Sequence, residues 1–170
     1  MEHGLDAQEL SEIEERFGVT FSPEHRQFLA TALPTGGSWV DWRNGAANDL
    51  AAQLEWPIES VIFDVQNADF WPASWGERPA DQGRPEREAR THLASVPRLV
   101  PLFSHRYIAA DSDFEPSPVF SVYQTDVIYY GDNLADWVAH EFNAPPPYAS
   151  DPTHVPFWSD LADGLSAADL

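Results

Sequence analysis

The stretch Val119-Phe120-Ser121-Val122-Tyr123-Gln124-Thr125-Asp126-Val127-Ile128-Tyr129-Tyr130-Gly131 decides the fold. Two β-branched and aromatic runs flank Thr125-Asp126, which reads as a tight turn, so the segment predicts a β-hairpin. Asp126 is placed to cap that turn by accepting hydrogen bonds from backbone N–H groups. Just upstream, residues 99–103 and 106–108 predict two further strand pieces around a bend at Ser104-His105. Residues 111–118 between the two pairs read as an acidic, proline-rich loop. Downstream, Asp132 or Asn133 caps a helix whose apolar face is Leu134, Trp137, Val138 and Phe142.

Upstream of the strands the apolar spacing is helical. Leu10, Ile13 and Phe17 recur at i, i+3 and i+7 among Glu9, Glu12, Glu14 and Glu15, and Gly18 stops that helix. Ser22-Pro23-Glu24 supplies an N-cap and a proline at the first helical position of a second helix, ended by Pro34 and Gly36-Gly37. Residues 38–47 read as a short strand or loop, and 48–55 as a short helix. Trp56-Pro57 restarts the chain. Residues 58–65 also suit a buried strand, but proline at a first helical position favours a helix. Residues 70–76 form an aromatic turn, 77–85 a loop, and 86–95 a charged helix closed by Pro97. Helices, then strands, then a helix predict an α+β fold: an N-terminal helical hairpin and a central, mostly antiparallel sheet with flanking helices. Residues 143–156 contain five prolines and read as a linker. Phe157, Trp158 and Leu161 follow in a short amphipathic tail.

The 170 residues carry 28 acids against nine basic side chains, all Arg, for a net charge of −19. This disfavours nucleic-acid binding, which needs a basic footprint, and docking on anionic membranes. The imbalance is uneven, because residues 107–170 hold eleven acids and no Arg or Lys. Hydrophobic residues make up 43%, including seven Trp, ten Phe and five Tyr, which is ample material for a core. There is no Cys, hence no disulfide framework, thiolate metal site or Cys nucleophile. With no long apolar run and an acidic N-terminus unlike a signal peptide, the expected location is cytoplasmic.

Several motifs together resemble a known family. Ile13-Glu14-Glu15-Arg16-Phe17-Gly18-Val19, then Ser22-Pro23-Glu24-His25-Arg26-Gln27-Phe28-Leu29 and Gly36-Gly37, resemble the N-terminal signature of the SUKH superfamily, the Smi/Knr type named after a yeast cell-wall regulator. Phe70-Trp71 with Trp75-Gly76-Glu77-Arg78-Pro79, and the stretch from Leu99-Val100-Pro101 through His105-Arg106-Tyr107 to Gly131, are similar to an actinobacterial branch. The chain departs from that pattern at Ser22-Pro23, where the family has Leu-Pro, and at His25, where it often has an aromatic. The resemblance spans residues 6–142 and implies a domain over 1–142, with 143–170 as linker and tail. It implies a non-catalytic binding module, of which many bacterial examples neutralise secreted toxins, often nucleases; the alternative is an intracellular scaffold or regulator without a toxin.

No catalytic set travels with that family, and none is found among the residues. G-x-S-x-G is missing, and His140-Glu141 lacks the second His of H-E-x-x-H. Asp111-Ser112-Asp113-Phe114-Glu115 lacks the glycine and terminal Glu of an EF-hand loop and reads as a solvated acidic loop. The expectation is therefore no enzyme, no cofactor and no metal, with a basic protein as partner and a monomer or weak dimer in solution. The residues expected to bind that partner are Trp39, Asp41, Trp42, Asp111, Asp113, Glu115 and Asp132. Arg43, Arg78 and Arg106 read as internal braces.

Overall fold

A computed structural model describes residues 1–145 and 151–170. The expected linker at 143–156 falls partly on the remaining five, so that part lies outside the described residues. The chain begins with a short strand β1 (Glu2–His3), then α1 (Ala7–Phe17), α2 (Pro23–Thr31) and β2 (Ala32–Leu33), which pairs antiparallel with β1. There follow α3 (Ala47–Asn67), a 3-10 turn at Ala73–Trp75, and α4 (Arg84–Leu93). Strands β3 (Leu99–Phe103), β4 (Arg106–Ala109), β5 (Val119–Tyr123) and β6 (Asp126–Gly131) form an antiparallel meander in chain order. Helices α5 (Leu134–Phe142) and α6 (Trp158–Ala162) complete an α+β fold.

Local chemistry sets the expected end of α1 and starts of α2 and α5, but α2 stops at Thr31, short of the expected Pro34, because Ala32 and Leu33 pair as a strand with Glu2 and His3. Asp6 accepts from Gln8 and Glu9 N–H while the Glu9 carboxylate accepts from Asp6 N–H, a capping box, and Gly18 closes α1 at φ 58°. Ser22 caps α2, and Asn133 caps α5 by accepting from Asp136 N–H.

Side chains of the meander alternate between two cores, because successive residues of a strand face opposite sides of a sheet. Val100, Leu102, Ile108 and Val119 pack with Leu10, Ile13, Leu29, Leu50, Leu54 and Trp137. Leu99, Tyr107, Phe120, Val122 and Val127 pack with Val61, Val65, Leu93 and Trp158. Because helices cover both faces, β3 and β5 are buried along nearly their whole length. Trp158 is fully buried, and its indole N–H donates to the Pro97 carbonyl at 2.7 Å.

The expected break at Trp56-Pro57 does not occur. A single helix of 21 residues, α3, runs through it with Pro57 inside, and supplies Leu50 and Leu54 to one core and Val61 and Val65 to the other. Proline has no N–H, so it leaves the carbonyl four residues back, that of Gln53, without its helical partner. The Tyr107 hydroxyl on β4 donates to that carbonyl at 3.1 Å. A strand residue thus replaces the hydrogen bond that the helix lacks, and burial raises the Tyr107 phenol above its ordinary range. The hairpin turn also differs from expectation. It is Gln124-Thr125, with Gln124 at φ 57°, and Asp126 is already the first residue of β6. The turn is held by buried Asp64 of α3, whose Oδ2 accepts from Thr125 N–H at 2.9 Å and Oγ1 at 2.6 Å.

His25 of α2 is 1% exposed, edge-on to Phe21 at 5.0 Å, and neither ring nitrogen has a hydrogen-bond partner. Burial pushes it down to about 3 from an ordinary 6.5. The unfolded chain therefore takes up a proton below about 6.5 that the folded chain refuses, so stability present above that pH is lost as pH falls toward 3.

Two predictions follow from these contacts. Tyr107→Phe costs about 1–2 kcal/mol in urea unfolding. That cost shrinks toward zero in a Pro57→Ala background, where residue 57 itself bonds Gln53; equal costs in both backgrounds remove the link between Tyr107 and Pro57. His25→Phe is neutral or stabilising at pH 7, and its advantage over wild type widens between pH 6.5 and pH 4, followed by the urea midpoint at each pH. An advantage that does not change with pH shows that His25 is not the buried neutral base.

Candidate protein-binding surface

The expected site residues do not form one cluster. Trp42 is 4% exposed, wedged edge-on against Phe21 at 5.1 Å, and gives a partner no surface; its expected role as an anchor is corrected to a core role. Asp41 serves its own turn, with Oδ1 accepting from Asn44 N–H at 2.9 Å. The acids and Trp39 lie at opposite ends of a surface shared by α2 and α5.

At one end the two helices begin beside each other. Glu115 Oε1 accepts from Glu24 N–H at 2.6 Å, at the start of α2, where unpaired N–H groups favour an anion. The Glu24 carboxylate is directed at the start of α5, where the N–H groups of Leu134 and Ala135 favour its charged form, although its buried Oε2 has no hydrogen-bond partner among the described residues. Asp132 adjoins this point, and its N–H donates to Asp136 Oδ2 at 3.0 Å. Asp111 and Asp113 are exposed on the Glu115 loop. Asp111 is anchored by its N–H to the Thr20 carbonyl at 3.2 Å and adopts φ 66°. Glu115, Asp132 and the Asp111–Asp113 pair thus lie around Glu24, which sequence reasoning missed. An acid after Ser-Pro marks a helix start and does not reveal that its carboxylate reaches a second helix 110 positions away. Burial, with Glu115's charge adding to it, raises the Glu24 carboxyl above its ordinary range, against the two backbone N–H groups that lower it.

At the other end Trp39 is half-buried and stacks on Phe142 at 5.6 Å and 11°, and on Phe28 at 6.1 Å and 27°. With Met1, Pro34 and Val138 these rings line a mostly apolar groove of about 380 Å³. Phe142 was expected on the buried face of its helix, yet it is 48% exposed. It stands two turns beyond Leu134, at the end of α5, where its ring meets Trp39, Phe103 and Trp137. The remaining aromatics divide between core and surface. Trp75 stacks on His92 at 5.1 Å, and the backbone N–H of Ala73 and Ser74 donate to the carbonyls of Ala167 and Leu170. Trp56 stands out at 44% exposure.

Comparison with protein-family models, curated proteins and solved structures returns no match. The resemblance to the SUKH superfamily therefore rests on the sequence motifs alone, and the chemistry of the surface on the residues themselves. Among the described residues no group of three or more His, Asp or Glu is placed to hold a metal ion, and no helix is long and apolar enough to cross a membrane.

The Arg residues act as braces. Arg43 grips Glu9 through Nε at 2.7 Å and Nη2 at 3.0 Å and also donates to the His3 and Gly4 carbonyls, which pins the N-terminus to the loop. Glu9 is held down to about 2 by that guanidinium first and by the Asp6 N–H second. Arg78 donates to the Val65 carbonyl near the end of α3 and to Asp69.

Glu24→Gln tests the acidic end. A carboxyl raised in the folded chain adds stability while protonated and loses it as pH rises through its folded value. The neutral amide raises the Tm at pH 7, and this gain fades as the pH is lowered through the raised value of the folded carboxyl and is gone below about 4.5, where the wild-type carboxyl is protonated in both states. A Tm lower than wild type at pH 7 shows that the ionised carboxylate is the form the two helix starts require.

Proposed function

We propose that this chain is a non-catalytic protein-binding module that captures a basic protein partner through its acidic surface. The observation that carries this reading is how the charges are distributed between partners inside and outside the chain. Seven of the nine Arg (26, 43, 78, 84, 90, 98 and 106) lie within ion-pair distance of an acid of the same chain. Of the eleven acids in residues 107–170, only Glu141 has such an Arg partner among the described residues. The cations are satisfied internally, and the excess of anions faces outward. Such a surface steers a positively charged partner and suppresses acidic ones.

Toxin neutralisation is the form of this function that the sequence resemblance implies. A nuclease toxin is basic because it binds phosphates, so an acidic module can occupy the same site. The apolar groove at Trp39, Phe28 and Phe142, at the other end of that surface, supports the reading from another direction, since aromatic side chains are favoured anchors of specific interfaces.

The test is capture of partners on the immobilised chain from extracts of its source cells, at low and high salt, with identification by mass spectrometry. The expected partner is basic and elutes at high salt. Neutralising the exposed loop with Asp111→Asn, Asp113→Asn and Glu115→Gln lowers its association rate by about three- to tenfold at low salt and flattens the salt dependence. A captured set that is acidic removes the proposal, and a rate that the triple variant leaves unchanged removes the 111–115 loop as its steering element.

A further inference from the structure

The four-stranded sheet has two edges, and among the described residues only one has its backbone paired on the outer side. Along β3, Trp39 bridges Phe103, and Ser104 N–H donates to the Ser38 carbonyl at 2.8 Å, so the 38–39 segment closes that side. Along β6 the ladder with β5 is the sole backbone pairing among the described residues, apart from the local bond from Val127 N–H to the Thr125 carbonyl. An antiparallel edge strand directs the N–H and C=O of alternate residues away from its neighbour. Natural edges are usually blunted by Lys, Pro or a bulge. β6 has neither Lys nor Pro, and its bulge, where Tyr130 is the extra residue between the Val119–Gly131 and Phe120–Tyr129 pairs, disturbs only its far end.

This edge also faces open space. Ile128 is 49% exposed. Residues 128–131 line, with Asp132, Asp136 and His140, a groove of about 430 Å³ between β6 and α5. Asp126 at the start of the strand is exposed, and Asp132 and Asp136 stand at its end. Arg106, the cation adjoining the groove, lies under the Tyr130 ring at 3.6 Å and is matched by Glu141 at 3.5 Å.

The charge selects the occupant. A second copy pairing edge to edge would bring Asp126, Asp132 and Asp136 of one chain toward the same acids of the other, between molecules of net charge −19. A basic segment meets the same carboxylates favourably. We propose that β6 is a docking edge for an extended, basic segment of a protein partner, which adds to the sheet as a fifth strand, with side chains on Ile128 and the groove and cations at Asp132 and Asp136. This deepens the binding-module reading and rests on it.

The probe is a short peptide of alternating Arg and Val. One control carries N-methyl groups on alternate amides, which keeps the charge and blocks strand pairing, and another replaces Arg with Glu. Binding is followed by amide NMR shifts and hydrogen exchange of β6. The Arg peptide shifts β6 resonances and slows exchange of the β6 amides not bonded to β5. The methylated copy binds at least about tenfold more weakly, and the Glu copy does not bind. Ile128→Lys weakens the Arg peptide to a similar degree, and Ile128→Val retains it. Equal binding of the Arg and methylated peptides, or protection confined to other strands, overturns the proposal. If the Asp111, Asp113 and Glu115 triple variant slows a basic partner while Ile128→Lys leaves both peptide and partner unaffected, the acidic-surface reading stands and strand addition falls. If Ile128→Lys removes peptide pairing while the triple variant leaves partner association unchanged, strand addition stands and steering by the loop falls.

Discussion

The carbonyl of Gln53 has to find a partner outside its own helix, and much of the architecture depends on how it does so. Pro57 leaves it unpaired in the middle of α3, and an unpaired buried carbonyl costs as much as a lost hydrogen bond. Tyr107 answers from β4. This lets one helix continue for 21 residues and serve both cores. Its second half carries Asp64 to the β5–β6 turn, where the carboxylate holds Thr125 by two hydrogen bonds. The meander and the long helix are thus locked at two points, and the sheet that presents β6 is positioned by the same helix.

Where local chemistry is decisive, the sequence was sufficient. Gly18, Ser22 and Asn133 act within a few residues of themselves, so the end of α1 and the starts of α2 and α5 are readable, and the β-branched runs 119–123 and 127–130 announce a hairpin. Local sequence misleads where a distant residue decides the outcome. Proline reads as a break unless an acceptor for the stranded carbonyl is known, and Tyr107 stands 54 positions from Gln53. Asp126 is the local choice for a turn cap, but Asp64, 61 positions before Thr125, takes that role.

The same division applies to the surface. The acids of the 111–115 loop and Asp132 were visible as a charge excess, but Glu24, on which Glu115 and the start of α5 converge, was not. Trp39 and Trp42 look alike in sequence, three positions apart. One stacks at a groove and the other is sealed into the core, because the loop that carries them turns between the two.

The ties that join the sheet to its helices have a kinetic consequence. Tyr107 to Gln53, Thr125 to Asp64 and Trp158 to Pro97 join residues 54, 61 and 61 positions apart, whereas the strands of the meander connect to their immediate neighbours. Closing a long loop costs entropy before its contacts repay it, and contacts between sequence neighbours form first. Loop-closure entropy therefore favours forming the meander before the central turns of α3 receive the Tyr107 hydroxyl. During that interval the apolar faces of the strands are uncovered on both sides, in a chain whose charge keeps its copies apart. The net charge of −19 therefore opposes association of partly folded chains by the same repulsion that keeps finished copies apart.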